Sequence, residues 1–167
     1  DPLTEPGQNG MDRVEFMLSA NPGESLKPLE KVASGGEMSR IMLAFKAIAA
    51  NADSIPTLIF DEIDTGISGH IAAVVGEKMV SIADNHQVLC VTHLPQIAAL
   101  ADVHFMVQKQ DDGQTTRTSL KRLKMEERYE YIARMMSGME DSKLAYEHAR
   151  ELITHSEEIK QKRRKNK

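Results

Sequence analysis

The sequence is poor in the features that define several classes of protein. Its 167 residues include one cysteine, Cys90, so no internal disulfide can form and a reducing compartment is expected. No stretch is long and apolar enough to span a membrane, and no signal peptide is visible. Aromatic residues make up only 4% of the chain, so aliphatic side chains and ten methionines must fill the core. We therefore expect a cytoplasmic protein with one domain of ordinary size.

Charge of either sign is not in large excess. The net charge of −4 does not by itself indicate binding to nucleic acid. The distribution is uneven, however, because residues 160–167 carry six lysines or arginines and no acid. This segment is predicted to be a basic tail at the frayed end of a terminal helix, with contact to DNA as the alternative.

The order of apolar runs predicts an α/β fold. A parallel sheet is expected because strands and helices alternate through the middle of the chain. A hairpin around an Asp-Asp-Gly turn at 111–113 would add an antiparallel edge, and residues 1–10 read as a loop. The predicted strands cover residues 13–18, 57–60, 87–91, 103–108 and 115–121, and the predicted helices cover residues 34–51, 69–85, 95–101, 125–137 and 142–160.

The stretch TLIFDEIDTGISG, residues 57–69, is the most informative in the chain. Its apolar start is typical of a strand buried on both faces of a parallel sheet, and the strand ends at two adjacent carboxylates, Asp61 and Glu62. Because side chains alternate along a strand, these two can share one side only if the chain bends there. The pair suits one carboxylate on a metal ion and the other facing a water molecule. The alternative is an ordinary acidic strand end.

A second candidate site begins the helix predicted from Ser34. Ser34 and Glu37 have the spacing of a capping box, which places Ser34 at the helix start. Gly35 and Gly36 then leave the first backbone N–H groups uncovered by side chains, and such a helix start can bind an anion. A well-capped helix after a glycine turn is the alternative.

A third candidate is His93, which follows the predicted strand at 87–91. The carboxyl ends of parallel strands meet at one sheet edge, so His93 should lie near Asp61. There it becomes a candidate for contacting a reacting group. A histidine with a purely structural role is the alternative.

Four short motifs in this order resemble those of the ABC-type and SMC-type ATPases. Residues 34–37 resemble the signature motif, residues 58–62 the Walker B strand, residues 64–69 the D-loop, and Thr92-His93 the switch histidine. Three longer segments resemble more closely the C-terminal head lobe of the RecN family of bacterial DNA repair proteins. They are ASGGEMSRIMLAFKAI, IFDEIDTGISG and VTHLPQIAALAD. This closer match covers about residues 32–107. The resemblance implies a P-loop NTPase fold of the ABC/SMC-like head type.

The resemblance also implies catalytic roles. Asp61 would hold Mg²⁺ through water, Glu62 would orient and deprotonate the attacking water, and His93 would contact the γ-phosphate of ATP. Phosphoryl transfer depends mainly on positioning and neutralisation of charge, which fits these residue types.

Further residues are assigned by the resemblance to an interface between two heads. The signature residues would bind ATP held by the opposing head, and they are Ser34, Gly35, Gly36 and Glu37. The D-loop residues would line the head interface, and they are Asp64, Thr65, Gly66 and Ser68. The implied cofactors are therefore ATP and Mg²⁺, and the implied partner is a second copy of the head.

A phosphate-binding loop of the form G-x-x-x-x-G-K-[ST] does not occur in the sequence. In the RecN-like architecture it would lie in an N-terminal lobe, so residues 1–167 would form the C-terminal half of a head and be inactive alone. The whole protein would couple ATP hydrolysis to DNA binding in double-strand break repair, at the nucleoid. Two alternatives stay open: the head lobe of another SMC-type or Rad50-type ATPase, and a module that dimerises without hydrolysis.

Several other polar residues have less specific patterns. Arg40, one turn into the signature helix, could reach an interface group or be a solvated arginine. Gln96 and Asp102 flank the short helix after His93, and structural roles are expected for both. A basic cluster near the hairpin is expected to be a solvated face, with DNA contact as the alternative. Its members are Arg117, Lys121, Arg122 and Lys124.

Overall fold

The fold is taken from a computed structural model of the chain. It describes residues 2–8, 10–12, 14–19, 22–32, 34–49, 55–111, 115–139 and 142–165.

The N-terminal segment forms short antiparallel strand pairs. Strand β1 (Pro2–Gly7) pairs with β2 (Gly10–Asp12), and β3 (Met17–Leu18) pairs with β4 (Lys27–Pro28), which leads into helix α1 (Leu29–Val32). The predicted loop at 1–10 is therefore wrong, because residues 2–7 and 10–12 pair around a short turn despite the prolines and glycines.

The predicted half-buried strand at 13–18 is also wrong for most of its length. Among its described residues, 14–18, only the last two lie in a strand, and the apolar side chains of Val14 and Phe16 are 77% and 64% exposed. Phe16 packs edge-on against Phe45, with 5.9 Å between ring centroids, but most of its surface stays exposed.

The centre of the fold is a parallel strand pair with helices. Helix α2 (Gly35–Ala49) precedes strand β5 (Thr57–Phe60), and helix α3 (Gly69–Ala83) connects β5 to β6 (Gln87–Cys90). The two strands are in parallel register, with Thr57 opposite Gln87 and Phe60 opposite Cys90. Helix α4 (Pro95–Ala98) follows, with Pro95 at its first turn.

One face of this strand pair is covered and the other is open. Leu58 and Phe60 are buried in a core with side chains of α2, α3 and α4, whereas Ile59 and Leu89 on the opposite face are 71% and 46% exposed. The prediction of a strand buried on both faces is therefore wrong for the part of the chain that is described. The three helices cover only one side, and successive side chains point to opposite sides.

The antiparallel hairpin is confirmed, but it is a separate sheet. Strand β7 (Phe105–Asp111) pairs with β8 (Thr116–Arg122). Of the turn predicted at 111–113, residues 112 and 113 lie outside the described residues. Among the residues described, neither strand pairs with β5 or β6. The loop before the hairpin is held by the C-terminal helices instead, since Arg128 donates a hydrogen bond of 2.7 Å to the carbonyl oxygen of Ala101.

Two helices complete the fold. Helices α5 (Met125–Ser137) and α6 (Lys143–Lys165) pack on each other around Ile132 and Ile153, in a second core that includes Ala98 and Ala99. None of the helices in the described part of the chain is long and apolar enough to cross a membrane.

The basic segment at 160–165 is helical, and two of its cations form ion pairs. Lys160 is only 5% exposed and lies 3.0 Å from carboxylate oxygens of both Asp102 and Glu157, and Arg163 lies 3.1 Å from Asp84. The predicted basic tail at 160–167 is therefore, as far as residue 165, the last part of α6, because acidic partners fix two of its cations.

The fold class is confirmed as mixed α/β, with a parallel strand pair, flanking helices and an antiparallel hairpin.

Candidate functional site

The site lies at the carboxyl edge of the parallel pair. Asp61 and Glu62 follow β5 directly, and His93 lies three residues beyond β6. The amide of Val91 donates a hydrogen bond of 3.0 Å to the carbonyl oxygen of Phe60, which keeps the two chains together past the strand ends. The predicted convergence of the two strand ends is thus present.

The chain bends sharply at Glu62. Glu62 has a φ of +57°, the left-handed region that a residue with a side chain rarely adopts. Its amide donates to Oδ1 of Asp61 at 2.9 Å, and its carbonyl oxygen accepts from the amide of Thr65 at 3.0 Å. Such a bend is what allows two adjacent carboxylates to share one side of the sheet edge. Backbone strain of this kind is held only where surrounding contacts fix it, and it is frequent at functional sites.

The start of α2 packs against this bend. The hydroxyl of Ser34 accepts from the amide of Glu37 at 3.4 Å, and the carboxylate of Glu37 accepts from the amide of Ser34 at 3.2 Å, so the predicted capping box is formed. A Cβ added at Gly35 would collide with the carboxylate of Glu62. One added at Gly36 would lie 2.9 Å from the carbonyl oxygen of Glu62. The two glycines therefore permit close approach.

Two side chains of α2 fasten the helix to the loop after β5. The hydroxyl of Ser39 donates to the carbonyl oxygen of Asp61 at 2.8 Å. The guanidinium of Arg40 donates to the carbonyl oxygens of Ile63 and Thr65 at 3.1 and 2.8 Å. The sequence left the role of Arg40 open and gave no role to Ser39. Their one-turn spacing from Gly35 and Gly36 was the available signal.

The side chain of Asp64 points into the protein and contacts the residues that follow β6. Its carboxylate oxygen Oδ2 accepts from the hydroxyl of Thr92 at 2.6 Å and from the amide of His93 at 2.8 Å, and it lies 3.0 Å from Nδ1 of His93. Burial by itself raises the pKa of Asp64. The hydrogen bonds from Thr92 and from the amide of His93, together with the charge of His93, lower this pKa by more than burial raises it, so the pKa lies below its usual range.

The resemblance assigned Asp64 to a head interface, but in this chain the residue is only 2% exposed and its carboxylate contacts Thr92 and His93. The other assigned D-loop residues, Thr65, Gly66 and Ser68, are exposed. Ser68 occupies the N-cap position of α3 without a side-chain capping hydrogen bond.

Three further polar residues singled out in the sequence have the following surroundings. Asp102 pairs with Lys160, as expected of a structural residue. The Oε1 atom of Gln96 is buried and has no hydrogen-bond partner among the described residues. In the basic cluster, Lys121 is engaged at 2.6 Å by Glu127.

The residues at the edge fit a metal bound mainly by water and phosphate. Among the described residues, no group of three or more His, Cys, Asp and Glu side chains could hold a metal ion. Mg²⁺ does not need such a cage, since one or two carboxylates with waters and substrate phosphates suffice. The exposed carboxylate of Asp61 meets that requirement. The capped start of α2 presents the backbone donors that a phosphate would use.

Three known proteins similar to this chain are described as DNA repair protein RecN. A DNA repair protein RecN of Halalkalibacterium halodurans is 52% identical over 153 residues, which is 92% of this chain and 27% of that protein. The DNA repair protein RecN of Bacillus subtilis is 46% identical over 154 residues, again 92% of this chain and 27% of the relative. That of Deinococcus radiodurans is 51% identical over 152 residues, 90% of this chain and 26% of the relative.

Two further comparisons complete this result. No family model matches the chain. A solved chain from work on ATP-driven dimerization and DNA-stimulated activation of SMC ATPases has a TM-score of 0.49 and 23% identity, covering 69% of this chain and 68% of that one. The chain spans about a quarter of the length of the curated relatives it matches. Over nine-tenths of its length, the chain is homologous to a segment that makes up about a quarter of these RecN DNA repair proteins.

Proposed function

We propose that this chain supplies one side of a composite ATPase site, in the C-terminal lobe of an ABC/SMC-like head. In the full-length protein, ATP hydrolysis at paired heads would be coupled to DNA binding or bridging during recombinational double-strand break repair. The observation that carries the proposal is the convergence of Asp61, Glu62 and His93 at one sheet edge, against the capped start of α2.

Each residue has a role that its surroundings allow. Asp61 is exposed and would hold Mg²⁺ through water. Glu62 is exposed on a strained bend, and its carboxylate would orient and deprotonate the attacking water. His93 has a side chain that is 71% exposed, so its free ring edge can meet a phosphate. Bound Mg²⁺ would neutralise charge on the phosphates.

The signature residues would act on ATP held by the second head. Ser34 and Gly35 are exposed at the start of α2, where an incoming phosphate could reach the backbone donors. The carboxylate of Glu62 now lies against Gly35. A phosphate arriving there would repel this carboxylate, so engagement of two heads would displace Glu62 from α2. Thr65, Gly66 and Ser68 would line the interface.

The open face of the β5–β6 pair is where the missing nucleotide-binding elements would join. Ile59, Leu89 and Val91 are 71%, 46% and 62% exposed there, and apolar side chains of this kind are favourable to bury. We propose that an N-terminal lobe carrying the phosphate-binding loop covers this face. With DNA as a partner, the expected location is the nucleoid.

The test compares ATP hydrolysis by this chain alone with hydrolysis by a mixture of the chain and an N-terminal RecN polypeptide that carries a phosphate-binding loop. Both are measured with and without double-stranded DNA. Activity only in the mixture is expected, because the chain lacks the loop sequence. The Glu62→Gln variant should abolish it. Glu77→Gln removes an exposed carboxylate on α3 and serves as the matched control.

Two results would contradict the proposal. Turnover by the pure chain that is lost in Glu62→Gln would show that no second lobe is needed. No turnover in a mixture shown to associate and to bind ATP would favour a module that dimerises without hydrolysis.

A further inference from the structure

Asp64 is held in place by contacts that do not involve the ring of His93. Its backbone lies between Ile63 and Thr65, whose carbonyl oxygens both accept hydrogen bonds from Arg40, at 3.1 and 2.8 Å. The hydroxyl of Thr92 donates to Oδ2 of Asp64 at 2.6 Å. The backbone around Asp64 is therefore held from the α2 side, and its carboxylate is held from the β6 side.

The hydroxyl of Thr92 both donates and accepts a hydrogen bond. Its hydroxyl accepts from the amide of Leu94 at 3.0 Å while it donates to Asp64. The turn between β6 and α4 is thus closed by a chain of hydrogen bonds that ends on Oδ2. Since the amide of His93 also donates to Oδ2 at 2.8 Å, the backbone that carries the histidine is anchored to the same oxygen.

The ring of His93 completes this arrangement. Its Nδ1 lies 3.0 Å from Oδ2, the side chain of Asp64 is 3% exposed, and that of His93 is 71% exposed. A buried carboxylate beside Nδ1 selects the tautomer in which Nδ1 carries the proton. The opposite nitrogen, Nε2, then faces away from Asp64.

We infer that Asp64 is a positioning residue, which fixes the tautomer and orientation of the His93 ring so that Nε2 is presented to the reacting phosphate. This inference rests on the proposed function, because the phosphate is part of it. It differs from the interface role that the family resemblance implied for Asp64. It also explains why an acid three residues beyond Asp61 is buried whereas Asp61 and Glu62 are exposed.

The first test concerns the ring alone and needs no nucleotide. In the complete 167-residue chain labelled with ¹⁵N-histidine, the ring nitrogen shifts of His93 should report the proton on Nδ1. In Asp64→Asn the neutral amide is a weaker acceptor, so the population with the proton on Nε2 should rise. Ring shifts of His93 that are unchanged in Asp64→Asn would overturn the inference.

The second test measures the reaction in the full-length protein. Asp64→Asn should lower kcat for ATP hydrolysis by about 10- to 100-fold, in the range found for residues that orient a catalytic group. KM for ATP should change little, because Asp64 does not touch the nucleotide. In a His93→Ala background the same substitution should cause little further loss, because its effect passes through the ring. Equal losses in both backgrounds would overturn the inference.

Thr92→Val is the matched variant for a purely structural effect. It removes a hydrogen bond from the same oxygen and leaves Asp64 and the His93 ring in place. It should lower the unfolding free energy but reduce kcat less than Asp64→Asn does. If kcat in the two variants follows stability alone, Asp64 is structural and the inference fails. Absence of hydrolysis by the native full-length protein would instead overturn the proposed function, while the ring shifts still decide how Asp64 acts on His93.

Discussion

Arg40 donates a hydrogen bond of 2.8 Å to the carbonyl oxygen of Thr65 and thereby joins helix α2 to the loop after the carboxylate pair. A second bond from the same nitrogen, Nη1, reaches Ile63 at 3.1 Å. These hydrogen bonds therefore fix the start of α2 relative to the bend at Glu62. Arg40 supplies two hydrogen bonds between them, and Ser39 supplies a third, to the carbonyl oxygen of Asp61.

The Arg40→Ala variant should therefore lower the free energy of unfolding by about 1–3 kcal/mol, because it leaves two carbonyl oxygens without a charged donor. Urea unfolding followed by circular dichroism measures this. Arg164→Ala removes an exposed arginine from the last turn of α6 and should change stability by less than about 0.5 kcal/mol. Equal urea midpoints for the native chain and Arg40→Ala would contradict the importance of this contact.

The two glycines at the start of α2 should respond differently to substitution. A Cβ at Gly36 would lie 2.9 Å from the carbonyl oxygen of Glu62 and 3.0 Å from Cβ of Thr65, and neither atom can move without the backbone. We expect Gly36→Ala to destabilise the chain by about 1–3 kcal/mol, which exceeds the gain of up to about 1 kcal/mol from helix propensity.

Gly35→Ala is the matched comparison. The added Cβ would meet only the flexible end of the Glu62 side chain, which can turn away. Its thermal unfolding midpoint should therefore lie above that of Gly36→Ala. The reverse order would show that Glu62, rather than the backbone of the bend, fixes the start of α2.

The parts of the site that could be predicted from the sequence depend on local physical chemistry. The capping box of Ser34 and Glu37 uses groups three residues apart, and the helix forms where the pattern placed it. The strands that end before Asp61 and before His93 follow from short apolar runs, and a parallel arrangement brings their ends together. Each of these follows from spacing along the chain and from the rules of sheet geometry.

What could not be predicted depends on contacts between distant residues. The burial of Asp64 arises from Thr92 and His93, which lie 28 and 29 residues away, and an acid in a loop carries no local signal of such a partner. The exposure of one face of β5 and of α2 could not be predicted either. Ile59 and Ile48 are 71% and 86% exposed, although the sequence pattern shows only that they are apolar, not what covers them.

Cys90 should be a poor nucleophile in the folded chain. Burial raises the pKa of its thiol to about 12, and the negative charges of Asp64 and Asp61 add to the effect. Alkylation by iodoacetamide at pH 8 requires the thiolate, so it should be at least about a hundredfold slower in the native chain than in urea. Mass spectrometry of the timed reaction measures both rates. Comparable rates would mean that the carboxyl end of β6 opens readily to solvent.

His104 should make the stability of the chain depend on pH near neutrality. Burial lowers the pKa of His104, and the positive charge of Arg128 lowers it further. Its Nδ1 is buried without a hydrogen-bond partner among the described residues, and its ring packs edge-on against Tyr131 with 5.5 Å between centroids. The folded chain therefore holds this imidazole in its neutral form.

A histidine whose pKa is lower in the folded than in the unfolded chain contributes stability that is complete above the unfolded value, about 6.5. That contribution is lost as the pH falls from there through the folded value, because the unfolded chain binds the proton more readily. The free energy of unfolding in urea should thus decline between about pH 7.5 and 5.5. His104→Phe keeps a ring against Tyr131 but cannot titrate, so its decline should be shallower. Parallel declines in the two proteins would show that other groups govern the pH dependence.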